Sequence, residues 1–359
     1  MLLLLALFSC TRKDAQATDV VVGPGGGDDS VVAAADSTVE NPPEELRGVW
    51  VTRWTFSNAE QVESIMAELG DNGFNAVFFQ VRGTFDAYYD SSHEPWAARL
   101  AGLGTHPGWD PLAVAVESGH ANGLQVHAYI NTFPMWSGTS APSSSSIPHA
   151  YEDHADWLLD GMELNSSYVF ADPAEAGVQA RVAAVAADIE AKYAVDGIHL
   201  DYVRYPGSQY ATPDAGRKAV KDTVAGVQSA VDVPVTAAVW GIYENTYGWS
   251  GVSQGNVDYY QDSWAMAAEG LTDALIPMIY WSVKPTEGER LDFRVLVRDH
   301  VANKGQGALY AGIGADSLSK DEVLECVRVA RTEGADGVVL FDYTNIQAYL
   351  GELKAVFAE

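Results

Sequence analysis

Cysteine and positive charge are both scarce in this chain. Two of its 359 residues are cysteine, and Lys+Arg number 21 against 49 Asp+Glu. A formal net charge of −28 repels phosphate backbones and anionic lipid headgroups, which excludes a nucleic-acid binder; the excess acid reads first as a solubilising surface. HExxH and CxxC are missing, and His149 and His154, five apart, make no ligand set. No metal or other cofactor is therefore expected, and a metal-dependent polysaccharide deacetylase lacks its centre. No Gly-rich phosphate turn follows the first strand candidate, which weighs against a doubly wound nucleotide-binding sheet. The apolar run MLLLLALFS is too short to span a bilayer.

What is present begins with that run. Residues 1–9 have the form of a signal-peptide apolar region. With Leu7 and Ser9 ahead of Cys10, the segment resembles the lipobox of bacterial lipoproteins. The resemblance implies cleavage before Cys10, acylation of its thiol and a lipid-anchored place in the cell envelope, periplasmic or outer-membrane. Residues 10–45 are rich in Gly, Asp, Ser and Ala and read as a flexible linker. The folded domain is expected over 46–359. Cys326 shares a helical face with Val323, Val327 and Ala330, which predicts a buried core thiol.

Within the domain, eight apolar segments alternate with amphipathic helical stretches: 46–54, 74–82, 124–131, 196–203, 233–240, 273–281, 308–314 and 336–343. Eight strand–helix repeats are the arithmetic of a (β/α)8 TIM barrel. The turns DNGFNAV, ANGLQV, AVDGIHL and GADGVVL look like one unit reused. Side chains alternate along a strand. In the fourth segment Ile198, Leu200 and Tyr202 therefore face one way, toward the helices, and His199 and Asp201 face inward. The third repeats the pattern with Gln125, His127, Tyr129 and Asn131, and the second with Gln80 and Arg82.

Catalytic residues in this architecture sit at the carboxyl ends of strands. Asp201 ends its strand there, and the loop VRYPGSQY that follows offers no helix start for it to cap. Arg82, Arg204 and the flanking His199 are expected to supply positive charge beside it. Strand ends and loops carry many aromatics, among them Trp54, Trp96, Tyr202, Trp240, Tyr280 and Trp281. A trough of aromatic faces with carboxylates and amides at its floor suits sugar rings. Glycosidic cleavage needs a second carboxyl group. Glu244, then Asp262, then Asp342 are the candidates for the acid, an N-cap role competing at Asp262. Glu94, in SSHEPW, is a candidate for a sugar hydroxyl.

The segments ELRGVWVTRW, GFNAVFFQVRGTFDAYYDSSHEPWAARLAGLGTHPGWDPL, GLQVHAYIN, DGIHLDYVRYP and YYQDSWAMAAEGLTDALIPMIYW together resemble the glycosyl hydrolase-like family 10 proteins of bacterial envelopes. The resemblance implies a TIM barrel acting on a glycan; some relatives cleave peptidoglycan glycan strands, particularly strands stripped of stem peptides. It places the acid of the fourth-strand motif on Asp201, and Arg82, Asn131 and His127 in the pocket. Many relatives carry a second acid directly after the first, where this chain has Tyr202. Two readings follow: a glycoside hydrolase using a carboxylate pair, or a non-catalytic glycan-binding lipoprotein on the same barrel.

Overall fold

The computed structural model describes residues 45–359. The expectations for residues 1–9, for Cys10 and for the linker up to residue 44 lie outside the described residues.

Among the described residues, ten strands follow in chain order: β1 (Leu46–Val51), β2 (Ala76–Arg82), β3 (Gln125–Asn131), β4 (Pro134–Ser137), β5 (Tyr168–Phe170), β6 (Gly197–Asp201), β7 (Val235–Trp240), β8 (Ala274–Met278), β9 (Ala308–Gly314) and β10 (Gly337–Phe341). Eight of them close a parallel barrel in the ring order β1-β10-β9-β8-β7-β6-β3-β2. Each of these overlaps one of the eight expected segments. The short antiparallel ribbon β4–β5 rises from the long connection after β3; four-residue and three-residue strands are too short to announce themselves as an alternating pattern.

The alternation sorts the side chains as expected. Val77, Phe79, Val81, Val126, Ala128, Ile130, Ile198 and Leu200 pack in the layer between barrel and helices. Trp50, Phe78, Tyr129, Ala238, Ile276 and Val339 fill the interior. The helix Lys320–Thr332 shows how the outer layer is held. Ser319 and Glu322 form a reciprocal capping box at its start. Val323, Cys326, Val327 and Ala330 form its buried face, where burial pushes the Cys326 thiol up to about 12.

The repeated turns have a specific purpose. In three of them Gly73, Gly123 and Gly334 take positive φ, ending the helix where other residues would be strained. A polar residue just before β2, β6, β8 and β10 caps the neighbouring strand of the barrel. Asn75 Oδ1 accepts from Arg47 N–H at 2.8 Å and Asp196 Oδ2 from Val126 N–H at 2.7 Å. Asp273 Oδ2 accepts from Val235 N–H at 2.7 Å and Asp336 Oδ2 from Leu309 N–H at 2.8 Å. Part of the chain's acid content is thus spent tying the amino-terminal end of the barrel, opposite the mouth where a site is expected.

Burial holds His127 and His300 at about 4, below the ordinary 6.5. The unfolded chain takes up these protons near 6.5, whereas the folded chain resists until about 4. Their contribution to stability is complete above about 6.5 and is lost as pH falls toward 4. The unfolding temperature should therefore drop as the buffer is taken from pH 7 to pH 5; a flat profile would contradict this.

Candidate active site

Asp201 is the last residue of β6, paired in register with Asn131 of β3. Its parity sends the carboxylate into the barrel mouth, where Oδ2 accepts from the Tyr129 hydroxyl at 2.7 Å. The chain then turns sharply: Tyr202 takes φ +50, a left-handed conformation that costs a non-glycine residue free energy. The turn folds the Tyr202 backbone N–H back onto Asp201 Oδ1 at 2.6 Å. It also carries Tyr202 away from the helix-facing side that simple alternation predicts. Arg204 Nη1 stands 3.5 Å from Asp201 Oδ1. That nitrogen is buried and lacks a hydrogen-bond partner among the described residues.

These groups line a cavity of about 160 Å³ together with Trp50, Ala238, Met278, Tyr280 and Phe341. Asp201 is the one carboxylate on its wall among the described residues. The Arg204 guanidinium lies over the Tyr202 ring at 4.6 Å and 5.5 Å from the Trp240 ring centroid, so Trp240 supports the wall from behind.

Several expected pocket residues lie beneath or beside this cavity. His199 faces inward but sits two residues deeper than Asp201, fully buried. Its Nε2 accepts from the Trp50 indole N–H at 3.0 Å, leaving Nδ1–H to donate to Thr236 Oγ1 at 2.9 Å. Burial drives its pKa well below the usual range, so it is a neutral brace for Trp50 and brings no positive charge to Asp201. His127 is deeper still, stacked on Phe78 at 4.8 Å. Asn131 accepts from Gln80 Nε2 at 3.1 Å and donates to the Gly83 carbonyl at 3.0 Å, locking a strand end.

Arg82 does not reach Asp201. The register slips between Gln80 and Arg82, and the guanidinium turns to Glu94 on the following loop, 2.6 Å away with both side chains fully buried. Glu94 is thereby spent on an internal ion pair rather than on a sugar hydroxyl. Trp96 packs edge-on against His106 at 5.0 Å, and the Trp281 carbonyl accepts from the Cys326 thiol on the helix side; neither lines the cavity.

None of the three candidate acids lines the Asp201 cavity. Asp262 caps the helix Ser263–Ala268 and also accepts from the Tyr243 hydroxyl at 2.7 Å. Glu244 is exposed on the loop after β7, where Asn256 Nδ2 donates to it at 2.6 Å. Neither borders the Asp201 cavity. Asp342 follows β10, the barrel strand opposite β6. Burial raises its carboxyl above the usual range; hydrogen bonds at Asn345 oppose the shift, and the negative charge of Asp316 adds to it. Tyr280, half-buried on the cavity wall, links the two sides: its hydroxyl is pushed up by burial and then by Asp201, Asp316 and Asp342. Asp316 escaped the sequence reading because it lies one turn past a strand end, in a loop with no distinguishing pattern.

A larger cleft of about 470 Å³ lies alongside, lined by Arg53, Trp54, Thr84, Asp86, Arg99, Trp136 and Tyr168 among others. The Tyr168 and Tyr202 rings meet edge to face at 5.6 Å and form the wall between cleft and cavity. Asp86 is the only acid on the cleft wall among the described residues and accepts from the Thr84 N–H at 2.8 Å.

An eight-stranded barrel with an acidic, aromatic-walled mouth is one architecture that glycoside hydrolases use, among many other proteins. The chain belongs to the Glycosyl hydrolase-like 10 family, whose pattern its residues 45–233 match. It is 25% identical to Glycosyl hydrolase DigH of Escherichia coli K12 over 384 residues, covering 90% of this chain and 84% of that protein. It is 26% identical to Glycosyl hydrolase YngK of Bacillus subtilis 168 over 284 residues, covering 67% and 54%. The fold is similar to the PgaB (BpsB) glycoside hydrolase domain of Bordetella bronchiseptica, with a TM-score of 0.63 at 12% identity over 87% of this chain and 98% of that one.

The buried Arg82–Glu94 pair is a scaffold for the strand-two loop. Glu94→Gln leaves the guanidinium uncompensated and should cost about 3–5 kcal/mol in denaturant unfolding; a loss under about 1 kcal/mol would place the pair in solvent-like surroundings.

Proposed function

We propose that this protein is a glycoside hydrolase acting on a bacterial cell-envelope polysaccharide, with peptidoglycan glycan strands as its substrate. The observation that carries the reading is the lone carboxylate of Asp201, fixed by Tyr129 and the Tyr202 N–H inside an aromatic cavity at the carboxyl end of the barrel. A sugar ring entering there presents its C–H face to Trp50, Tyr280 or Phe341. Its hydroxyls meet Arg204 Nη1, which has no hydrogen-bond partner among the described residues.

Asp201 acts at the anomeric carbon, as nucleophile or as the base that activates water, and Asp342 donates its proton to the departing glycosidic oxygen. The separation of the two carboxyls decides between these courses: about 5 Å favours attack by Asp201, and about 6.5–9.5 Å leaves room for water. A general acid must enter the reaction protonated, and burial raises Asp342 in that direction. Glu244 bonds to Asn256 and Asp262 to Tyr243, and we assign the acid's role to Asp342.

Isolated glycan strands incubated with the protein should release soluble fragments. Asp201→Asn should cut that rate by about 10²–10⁴-fold while the unfolding temperature stays near that of the parent; undiminished release would refute the assignment. The rate should fall on the alkaline side as Asp342 loses its proton, and Asp342→Asn should lower the rate and erase that limb. An alkaline limb that persists in Asp342→Asn would assign the acid to another group.

One observation favours a receptor without turnover: no second acid lines the cavity itself. Strand binding that survives Asp201→Asn, with no release by the parent protein on any polysaccharide, would establish that reading.

A further inference from the structure

The larger cleft holds positive charge that the reaction described above does not use. Arg53 is 5% exposed, and of its guanidinium N–H groups one donates to the Tyr168 hydroxyl at 2.7 Å. Arg99 donates to the Arg53 and Trp54 carbonyls at 3.0 and 3.1 Å, which fixes it beside the first arginine. Both guanidinium carbons stand within 5 Å of the Trp54 ring centroid, at 4.8 and 4.9 Å, yet that indole remains 60% exposed. Among the described residues, no ion pair within 4.0 Å engages either arginine. Asp86, the acid in the cleft, accepts from Thr84 N–H and offsets one charge of the two. In a chain of net charge −28, a net positive cleft with an unspent arginine fork is a local inversion.

An arginine fork matches a carboxylate in plane and geometry, and its charge-assisted bonds are strong where water is thin. The exposed Trp54 face offers a surface for the ring that carries the carboxylate. The cleft and the Asp201 cavity share the Tyr168–Tyr202 pair as their dividing wall, so a glycan longer than one ring seated at Asp201 would extend toward the cleft. We propose that this cleft is an acidic-sugar subsite, in which Arg53 and Arg99 take the free carboxylate of a glycan residue and Trp54 packs against its ring. The assignment rests on the glycan reading above and narrows the substrate to one bearing ring-linked carboxylates.

The test uses the full chain carrying Asp201→Asn, so that binding is read without turnover. Three tetrasaccharide probes are titrated by calorimetry: alternating N-acetylglucosamine and N-acetylmuramic acid with free carboxylates, the same compound with its carboxylates converted to methyl amides, and an N-acetylglucosamine tetramer. The free acid should bind at least about tenfold tighter than the amide, a preference that shrinks as salt approaches 1 M, where screening acts over about 3 Å. Adding Arg99→Gln, a change at an exposed side chain, should bring the ratio close to one, and Arg53→Gln should do the same. Equal affinity for acid and amide in the parent, or a preference that survives both arginine variants, would overturn the subsite while leaving the glycan reading in place. Failure of all three probes to bind would overturn the glycan reading and the subsite with it.

Discussion

Packing Ile198 and Leu200 against the surrounding helices leaves Asp201 facing the mouth of the barrel. A slip of one residue in β6 would bury a carboxylate under helices and expose two aliphatic side chains, so the register is strongly enforced. The left-handed turn at Tyr202 completes the arrangement. It ends the strand, returns an N–H to the carboxylate, and places an aromatic ring beside it that the strand itself would have turned outward.

The surroundings serve that one group in layers. His199, neutral and fully satisfied, orients Trp50 from below, and Trp50 forms part of the cavity wall. Gln80 accepts from the Arg53 N–H and donates to Asn131, which in turn donates to the Gly83 carbonyl, so the ends of β1, β2 and β3 are tied together. Arg82 adds bonds to the Asn131 and Thr132 carbonyls and pairs with Glu94 on the loop beyond. A buried network of this kind is costly when broken and rigid when complete. Across the barrel, the carboxyl groups of Asp201, Asp316 and Asp342 all act on the Tyr280 hydroxyl.

The barrel was legible because eight apolar segments recur with helices between them, and inward parity was legible wherever one face is polar. Depth was not: alternation places His127 and His199 inside, but only the closed ring reveals that they lie below the cavity, about 3.3 Å per residue further down the strand. The slip between Gln80 and Arg82 was invisible for a related reason, since a residue count assumes an unbroken pleat. Asp262 illustrates a third limit. Its competing capping role was foreseeable from its position, but the choice depends on a helix of six residues that carries little signal of its own. Arg53 and Arg99 lie far apart in sequence and converge on Trp54 through loop packing, which no local pattern encodes.

The central claim is that a glycan meets this protein at Asp201. A crystal structure of Asp201→Asn soaked with a glycan-strand oligosaccharide tests it directly. The account predicts a sugar ring between Trp50, Tyr280 and Phe341, its anomeric carbon against residue 201 and its glycosidic oxygen turned toward Asp342. An oligosaccharide seated elsewhere, with the cavity at residue 201 left to solvent, would contradict it.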